Sequence, residues 1–320
     1  EDDRKLVDKK IVNDLSEIEA QLSSFKERLQ IVVESTFNWD WIVYGLEDKG
    51  YSVKLAHALG LKAIIWSKKK TDKWDAFTLA RLLRVGMIPQ AYIYPKDQRP
   101  LRDLLREKIR LVAKRASEYG AISRMLLRYN IQGYDRNDVK RLSKKDMHEL
   151  YHHPAVRTKA IMHLERIELL SHQIDLIENE ILQKARQDRV FHLLKDIPGI
   201  GDILALTILY EVSDINRFSD VKAFSSYCRV VPGIHQSSNS SYRSPNSKQG
   251  NRYLKWAFSQ AAYIAIRYYK KIRADYERRA AKRKKAAKLV SCSIIAHKLA
   301  IAAFYVMKNK TPYIESRLFR

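Results

Sequence analysis

The chain has 320 residues, with 60 lysines and arginines against 36 aspartates and glutamates, a formal net charge of +24 and 46% hydrophobic residues. That hydrophobic share can fill real cores, which excludes a disordered basic tail, and the length suggests more than one domain. Cys228 and Cys292 are the only cysteines, which excludes a disulfide scaffold and any zinc site built from cysteines.

Residues 5–12 (KLVDKKIV) predict a short strand, and 14–29 predict a helix from the spacing of Leu15, Ile18, Leu22 and Phe25. The run 29–34 (LQIVVE) predicts a strand buried on both faces. A helix over 38–49 closed by Gly50, a strand over 51–56 and a helix over 71–85 follow, the last with Leu79, Leu82 and Leu83 on one side. This alternation predicts a mixed or parallel sheet with helices on its faces.

From 101 to 188 glycine and proline nearly vanish, and two long helices are expected at 101–129 and 154–188, joined by a polar connector. Leu164, Ile167, Leu170, Ile174, Ile177 and Ile181 form a near-heptad seam, which predicts a helical hairpin or a dimerising coiled coil. Beyond 188 the expected elements are helices at 188–195 and 202–212, a serine-rich loop at 237–247 and two further helices. Segment 289–307 is apolar, but His297 and Lys298 near its middle predict a buried core helix rather than a membrane span. The start of the chain shows no apolar signal core, and a cytoplasmic setting is expected.

A charge of +24 predicts a polyanionic partner, because each lysine or arginine placed on a phosphate releases counterions. Glu34 ends a strand, where α/β sheets place ligand-binding groups, and Asp72 and Asp75 share the first turn of a helix. Brought together, the three carboxylates would suit a hard divalent cation; alternatively, Asp72 and Asp75 simply complement the helix dipole. Lysines 68–70 would then meet substrate phosphates. The turn 197–201 (IPGIG) has the form of a helix-hairpin-helix turn, in which Pro198, Gly199 and Gly201 let the backbone approach a DNA phosphate; a purely structural turn is the alternative. In the stretch 236–241 (QSSNSS) a serine nucleophile would need an activating base, and His235 is its neighbour in sequence. Arg243, Lys248, Arg252 and Lys255 would supply positive charge around an attacked phosphate. Tyr263, Tyr268, Tyr269 and Tyr276 suit a core or groove, with base stacking as the alternative.

Taken in order, 33–36 (VEST), 70–76 (KTDKWDA), 196–201 (DIPGIG), 231–237 (VPGIHQS) and 248–252 (KQGNR) resemble the DEDD-type transposases, the Piv/MooV-like insertion-sequence family of bridge-RNA-guided recombinases, over essentially the whole chain. The resemblance implies an α/β plus α architecture: a RuvC-like domain of RNase H fold over 1–98, a helical coiled-coil region over 99–190, and a mainly helical transposase domain over 191–320. It implies that Glu34, Asp72 and Asp75 are the second, third and fourth acids of a Mg²⁺-binding set. It implies that Ser237, with Ser238 in reserve, attacks DNA to form a phosphoserine intermediate. A noncoding guide RNA, a homo-oligomer (dimer or tetramer) and a nucleoid-associated location are implied as well. The family's first acid lies on an opening strand without a counterpart here, and Asp2 and Asp3 cannot replace it, which implies a truncated start or an inactive copy. The expected function is therefore DNA transposition through a serine. The rivals are a catalytically inactive nucleic-acid-binding remnant and a metal-only RuvC-like junction nuclease.

Overall fold

Helices make up most of the chain, and strands enter only where β-branched residues run together or a short hairpin closes. The computed structural model describes residues 5–64, 71–185, 187–237, 240–244, 249–282 and 286–317. They fall into two units, Glu1–Lys96 and Asp97–Arg320.

In the first unit, Asp14 caps helix α1 (Leu15–Leu22) by accepting from the amides of Ser16 and Glu17. A 3-10 turn, Ser23–Arg28, leads into strand β1 (Gln30–Glu34). Helix α2 (Trp39–Asp48) buries Val43 and Leu46 and returns the chain to β2 (Ser52–Ala56). Lys49 closes α2, and Gly50 then adopts φ +79°, the left-handed turn that glycine permits. β1 and β2 pair in parallel, from Gln30 opposite Ser52 to Glu34 opposite Ala56, completing the expected βαβ unit. On its other side β2 is bonded by residues 89–91, where the His57 amide donates to Pro89 O and the Ala91 amide to Leu55 O, each at 2.7 Å. Helices α3 (Ala58–Ile64) and α4 (Asp72–Arg84) complete the unit.

Two expectations fail here. Among the described residues β1 pairs only with β2, so as an edge strand its Ile31, Val32 and Val33 are half-buried instead of buried on both faces. Residues 5–12 form no strand: their apolar residues come as adjacent pairs, Leu6-Val7 and Ile11-Val12, so no alternation gives one apolar face. Leu6 and Val12 are exposed, while Lys5 lies over the Phe77 ring of α4 and Asp8 pairs with Lys73.

In the second unit the long helices α5 (Arg99–Arg128) and α8 (Pro154–Ala185) pack along each other. Leu164 and Ile167 share a core with Ile122, Met125 and Leu126, and Ile181 shares one with Leu105. The seam is thus used within the chain, as a hairpin. The connector is not merely polar: it holds α6 (Arg136–Arg141) and α7 (Lys144–Leu150), each started by a reciprocal capping box, Asp135 with Asp138 and Ser143 with Asp146.

The remaining elements are α9 (Arg189–Lys195), α10 (Asp202–Val212), α11 (Val221–Tyr227), an antiparallel hairpin of β3 (Gly233–Ser237) and β4 (Ser240–Ser244), α12 (Arg252–Tyr268), α13 (Lys270–Ala281) and α14 (Ala287–Asn309). The serine-rich segment expected as a loop is therefore largely this hairpin. Three helices follow it where two were expected, because Tyr269 turns extended and divides α12 from α13.

By length and composition α14 could cross a membrane. It is instead the centre of this unit's core, burying Ile295, Leu299, Ala300, Ala303 and Phe304. Its Lys298 reaches Asp275 at 2.9 Å. Asp275 is 2% exposed and also takes Arg279 at 3.0 Å and Arg278. Burial pushes its carboxyl up, but hydrogen bonds from Arg279, Lys298 and Arg278 outweigh that and bring it down to about 2. A depressed carboxyl stabilises the fold above its unfolded value and loses that contribution as pH falls through the folded one. Unfolding free energy is accordingly expected to drop by roughly 2 kcal/mol between about pH 4 and pH 2 on account of this group, and Asp275→Asn is expected to remove that acid slope in urea melts.

Candidate active site

The sequence-predicted residues fall in both units. In the first, Glu34 ends β1, half-buried, opposite Ala56 of β2. The next residue, Ser35, accepts the Ala58 amide at 3.2 Å at the start of α3, which fixes the turn beyond the sheet. Asp72 and Asp75 occupy the first turn of α4, where Thr71 caps the helix by accepting the Trp74 amide at 3.3 Å. α4 packs against β1, so the three acids belong to neighbouring elements. They do not converge: among the described residues no three His, Cys, Asp or Glu side chains come close enough to hold a metal ion. Glu34, Asp72 and Asp75 thus lie on adjoining elements and carry the oxygen donors a hard divalent cation takes, without a closed three-carboxylate cluster among the described residues. In the first turn of α4, Asp72 and Asp75 meet the positive end of the helix dipole. Lysines 68–70 lie outside the described residues.

In the second unit the turn 197–201 joins α9 to α10 and lies against α12. Pro198 and Gly199 are buried, with Ile197 and Ile200 in the core beside them. Gly199 has φ +82°, and a Cβ on it would sit 2.1 Å from the carbonyl oxygen of Ala261. Close helix packing against α12 thus accounts for Gly199, and Pro198 beside it is buried. Gly201 is exposed and caps α10. Asp202 follows it, paired with Lys195 at 2.6 Å.

The candidate serine ends a strand. Ser237 is the last residue of β3, paired with Ser240, and His235 is paired with Tyr242 and Ile234 with Arg243. Ser238 and Lys248 lie outside the described residues. Where the chain leaves the hairpin it is held tightly. Gly250 has φ +95°, and a Cβ there would lie 2.5 Å from Tyr227 O. The Asn251 amide donates to that same oxygen at 2.6 Å. The Asn251 side chain does two jobs. Its Oδ1 accepts from the amides of Tyr253 (2.8 Å) and Leu254 (3.1 Å), capping α12, and its Nδ2 donates to Glu211 Oε2 at 2.6 Å. Glu211, buried in α10, also receives both arms of Arg106 from α5, at 2.6 and 2.8 Å. The Arg106 guanidinium stacks 4.7 Å from the Tyr253 ring centre. One buried network therefore ties α5, α10, α11 and α12 together at the start of α12. Arg252, the first residue of α12, is exposed, with its guanidinium donating to Tyr253 Oη at 2.9 Å.

Glu211 and Arg106 were not anticipated from the sequence. The signal was present: a lone acid inside the apolar run DILALTILYEV must have a buried cationic or amide partner. Both cysteines are free, and burial pushes the Cys228 thiol well up, so it is no nucleophile.

Residues 1–131 match a transposase family of the DEDD, IS110 type. Residues 191–277 match the transposase IS116/IS110/IS902 family. Among curated proteins, the chain is 22% identical over 259 residues to y4qE of Sinorhizobium fredii, named a transposase, covering 77% of this chain and 64% of that protein. It is 25% identical over 213 residues to the transposase for insertion sequence element IS1111A of Coxiella burnetii, covering 63% and 56%. It is 24% identical over 237 residues to the transposase for insertion sequence element IS1328 of Yersinia enterocolitica, covering 73% and 70%. The chain thus spans less than two thirds of the length of the first two relatives.

Proposed function

We propose that this chain, matched in two segments by IS110- and IS116/IS110/IS902-type transposase families, is such a transposase and cuts and rejoins DNA for an insertion sequence, with Ser237 as nucleophile and a noncoding RNA as guide. The observation that carries this reading is the β3–β4 hairpin: it lies inside the family-matched segment and ends β3 on Ser237. In the proposed step the Ser237 oxygen attacks a DNA phosphorus, and its proton passes to a base, for which His235 is the nearest candidate in the chain. The bond from phosphorus to the departing sugar oxygen breaks, and that oxygen takes up a proton. Attack by a hydroxyl of the joining strand reverses these steps and frees the serine. Arg243 and Arg252 would face the charge gathered on the phosphate, with Gly201 and Lys248 as further DNA contacts.

The βαβ unit supports a RuvC-like reading of 1–98, followed by the helical region 99–190 and the transposase domain 191–320. A homo-oligomer on DNA and RNA suits a net charge of +24. Glu34, Asp72 and Asp75 would supply oxygen ligands to Mg²⁺, although they form no closed cluster among the described residues, and no step is routed through the ion.

That same observation favours one rival, a DNA-binding remnant without turnover. A strand-cleavage assay on element-end duplex with guide RNA, run with and without Mg²⁺, separates the two. Cleavage and rejoining with Mg²⁺ is the expected result. Tight binding with no cleavage under any condition would hand the chain to the remnant. Cleavage that persists in a Ser237→Ala/Ser238→Ala variant would mean a metal-only nuclease.

A further inference from the structure

Helix α11 ends on a residue that its turn does not favour. The Arg229 amide donates to Ser226 O at 2.9 Å and the Val230 amide to Ser225 O at 3.3 Å, the paired bonds of a Schellman motif. The residue just past the cap of such a motif is left-handed, and glycine is usual there because a side chain is strained in that conformation. In this chain it is an arginine, at φ +56°. A Cβ on Gly250 would lie 2.9 Å from Arg229 Cγ, so that glycine leaves room for the arginine stem. The stem is packed, but the guanidinium is not served. Arg229 makes no ion pair or side-chain hydrogen bond among the described residues, and its Nε–H is buried without an acceptor.

A strained backbone and a buried unpaired donor are both unfavourable in the free protein, and an anion brought to the guanidinium would offset them. The fork of an arginine matches two oxygens of one phosphate. Val230, Val231 and Pro232, all described, join Arg229 to β3, so the arginine stands at the foot of the strand that ends on Ser237. At about 3.3 Å per residue, β3 is about 13 Å long from its first Cα to its last. Arg252, which also faces phosphate in the proposed reaction, starts α12 two residues after Gly250, the glycine under the Arg229 stem.

We propose that Arg229 binds a backbone phosphate of the DNA strand that Ser237 attacks. With the length of β3 between them, Arg229 takes a phosphate further along the strand than the attacked one, and so positions the strand without touching the reacting atoms. The occupant is DNA rather than guide RNA because the arginine and the nucleophile lie on one continuous described segment. In this respect the inference rests on the reading that Ser237 attacks DNA.

The test is fluorescence anisotropy of the full chain with a labelled mixed-sequence duplex and a labelled hairpin RNA, alongside urea melts of each variant. Arg229→Gln, which keeps most of the stem and removes the charge, is expected to weaken duplex binding about fivefold or more at about 0.1 M salt and to flatten its salt dependence by a slope of about 0.9. Hairpin RNA binding is expected to stay within about twofold. Arg229→Lys is expected to restore the slope, because the charge is kept. Arg229→Gly separates binding from folding: it should lose duplex affinity as Arg229→Gln does, yet unfold at no lower a urea concentration than wild type, since glycine is unstrained at this φ. The proposal is overturned if Arg229→Gln binds the duplex with wild-type affinity and slope, if RNA binding falls as much as duplex binding, or if both neutral variants lose binding only in step with a lower urea midpoint. A wild-type chain that does not bind the duplex at all would remove the transposase reading as well, whereas duplex binding indifferent to Arg229 removes this inference alone.

Discussion

Gly199→Ala is expected to lower the unfolding free energy of the chain by about 2–5 kcal/mol, among the largest losses that a single methyl group could cause here. Two costs combine. At φ +82° an L side chain pays about 1–2 kcal/mol for the left-handed conformation. The added Cβ would also lie 2.1 Å from Ala261 O and 3.0 Å from Ala265 N, both backbone atoms of α12, so no rotamer can relieve the contact. The α9–α10 turn or α12 must move, and overpacking of that kind costs about 1–3 kcal/mol more. Gly201→Ala, two residues on, is the control. It has φ −90° and nothing within 4 Å of its Cβ position, so a change within about 1 kcal/mol is expected. Urea melts of the two variants decide the matter: if they are equally stable, the glycine of this turn is not kept for packing and its role as a DNA contact returns.

Glu211→Ala should cost about as much, roughly 3–5 kcal/mol, by a different route. The carboxylate is 3% exposed and serves three donors, two from Arg106 and one from Asn251. Its removal strands a half-buried guanidinium and frees the amide of the residue that caps α12. Arg106→Ala made in the same chain should add less than its separate cost, with a coupling of about 1–3 kcal/mol. Additive losses would mean that the pair does not act as a unit. Because Asn251 starts the helix that carries Arg252, a proposed phosphate contact, Glu211→Gln is expected to lower strand cleavage even at temperatures where the variant stays folded.

Much of the first unit was legible because its periods are clean. The β-branched run of β1, the capped helices α2 and α4 and the Gly50 turn each follow from local chemistry that nothing distant overrides. Residues 5–12 misled because KLVDKKIV is rich in β-formers without alternating. The β3–β4 hairpin was hidden because serines carry no apolar pattern, so only its pairing defines it. The capping boxes at Asp135 and Ser143 announced two short helices that were passed over as polar linker.

For the candidate site, the order of motifs was readable but their geometry was not. Sequence marks Glu34, Asp72 and Asp75 as chemically suited to a cation, but how closely they approach depends on how β1 and α4 pack, which no local pattern encodes. Gly199 reads as phosphate access, whereas a neighbouring carbonyl oxygen of α12 already requires a glycine there. The partner of Glu211 lies 105 residues away on another helix, beyond the reach of any local pattern.

The central claim is that a serine of this chain becomes covalently bonded to DNA. The most direct measurement is to incubate the protein with element-end duplex, Mg²⁺ and guide RNA, quench in denaturant, digest, and identify by mass spectrometry the residue that carries DNA phosphate. The account predicts that the phosphate is on Ser237 and that Ser237→Ala abolishes the adduct. DNA attached to a residue elsewhere, or an adduct that survives replacement of both Ser237 and Ser238, would contradict it.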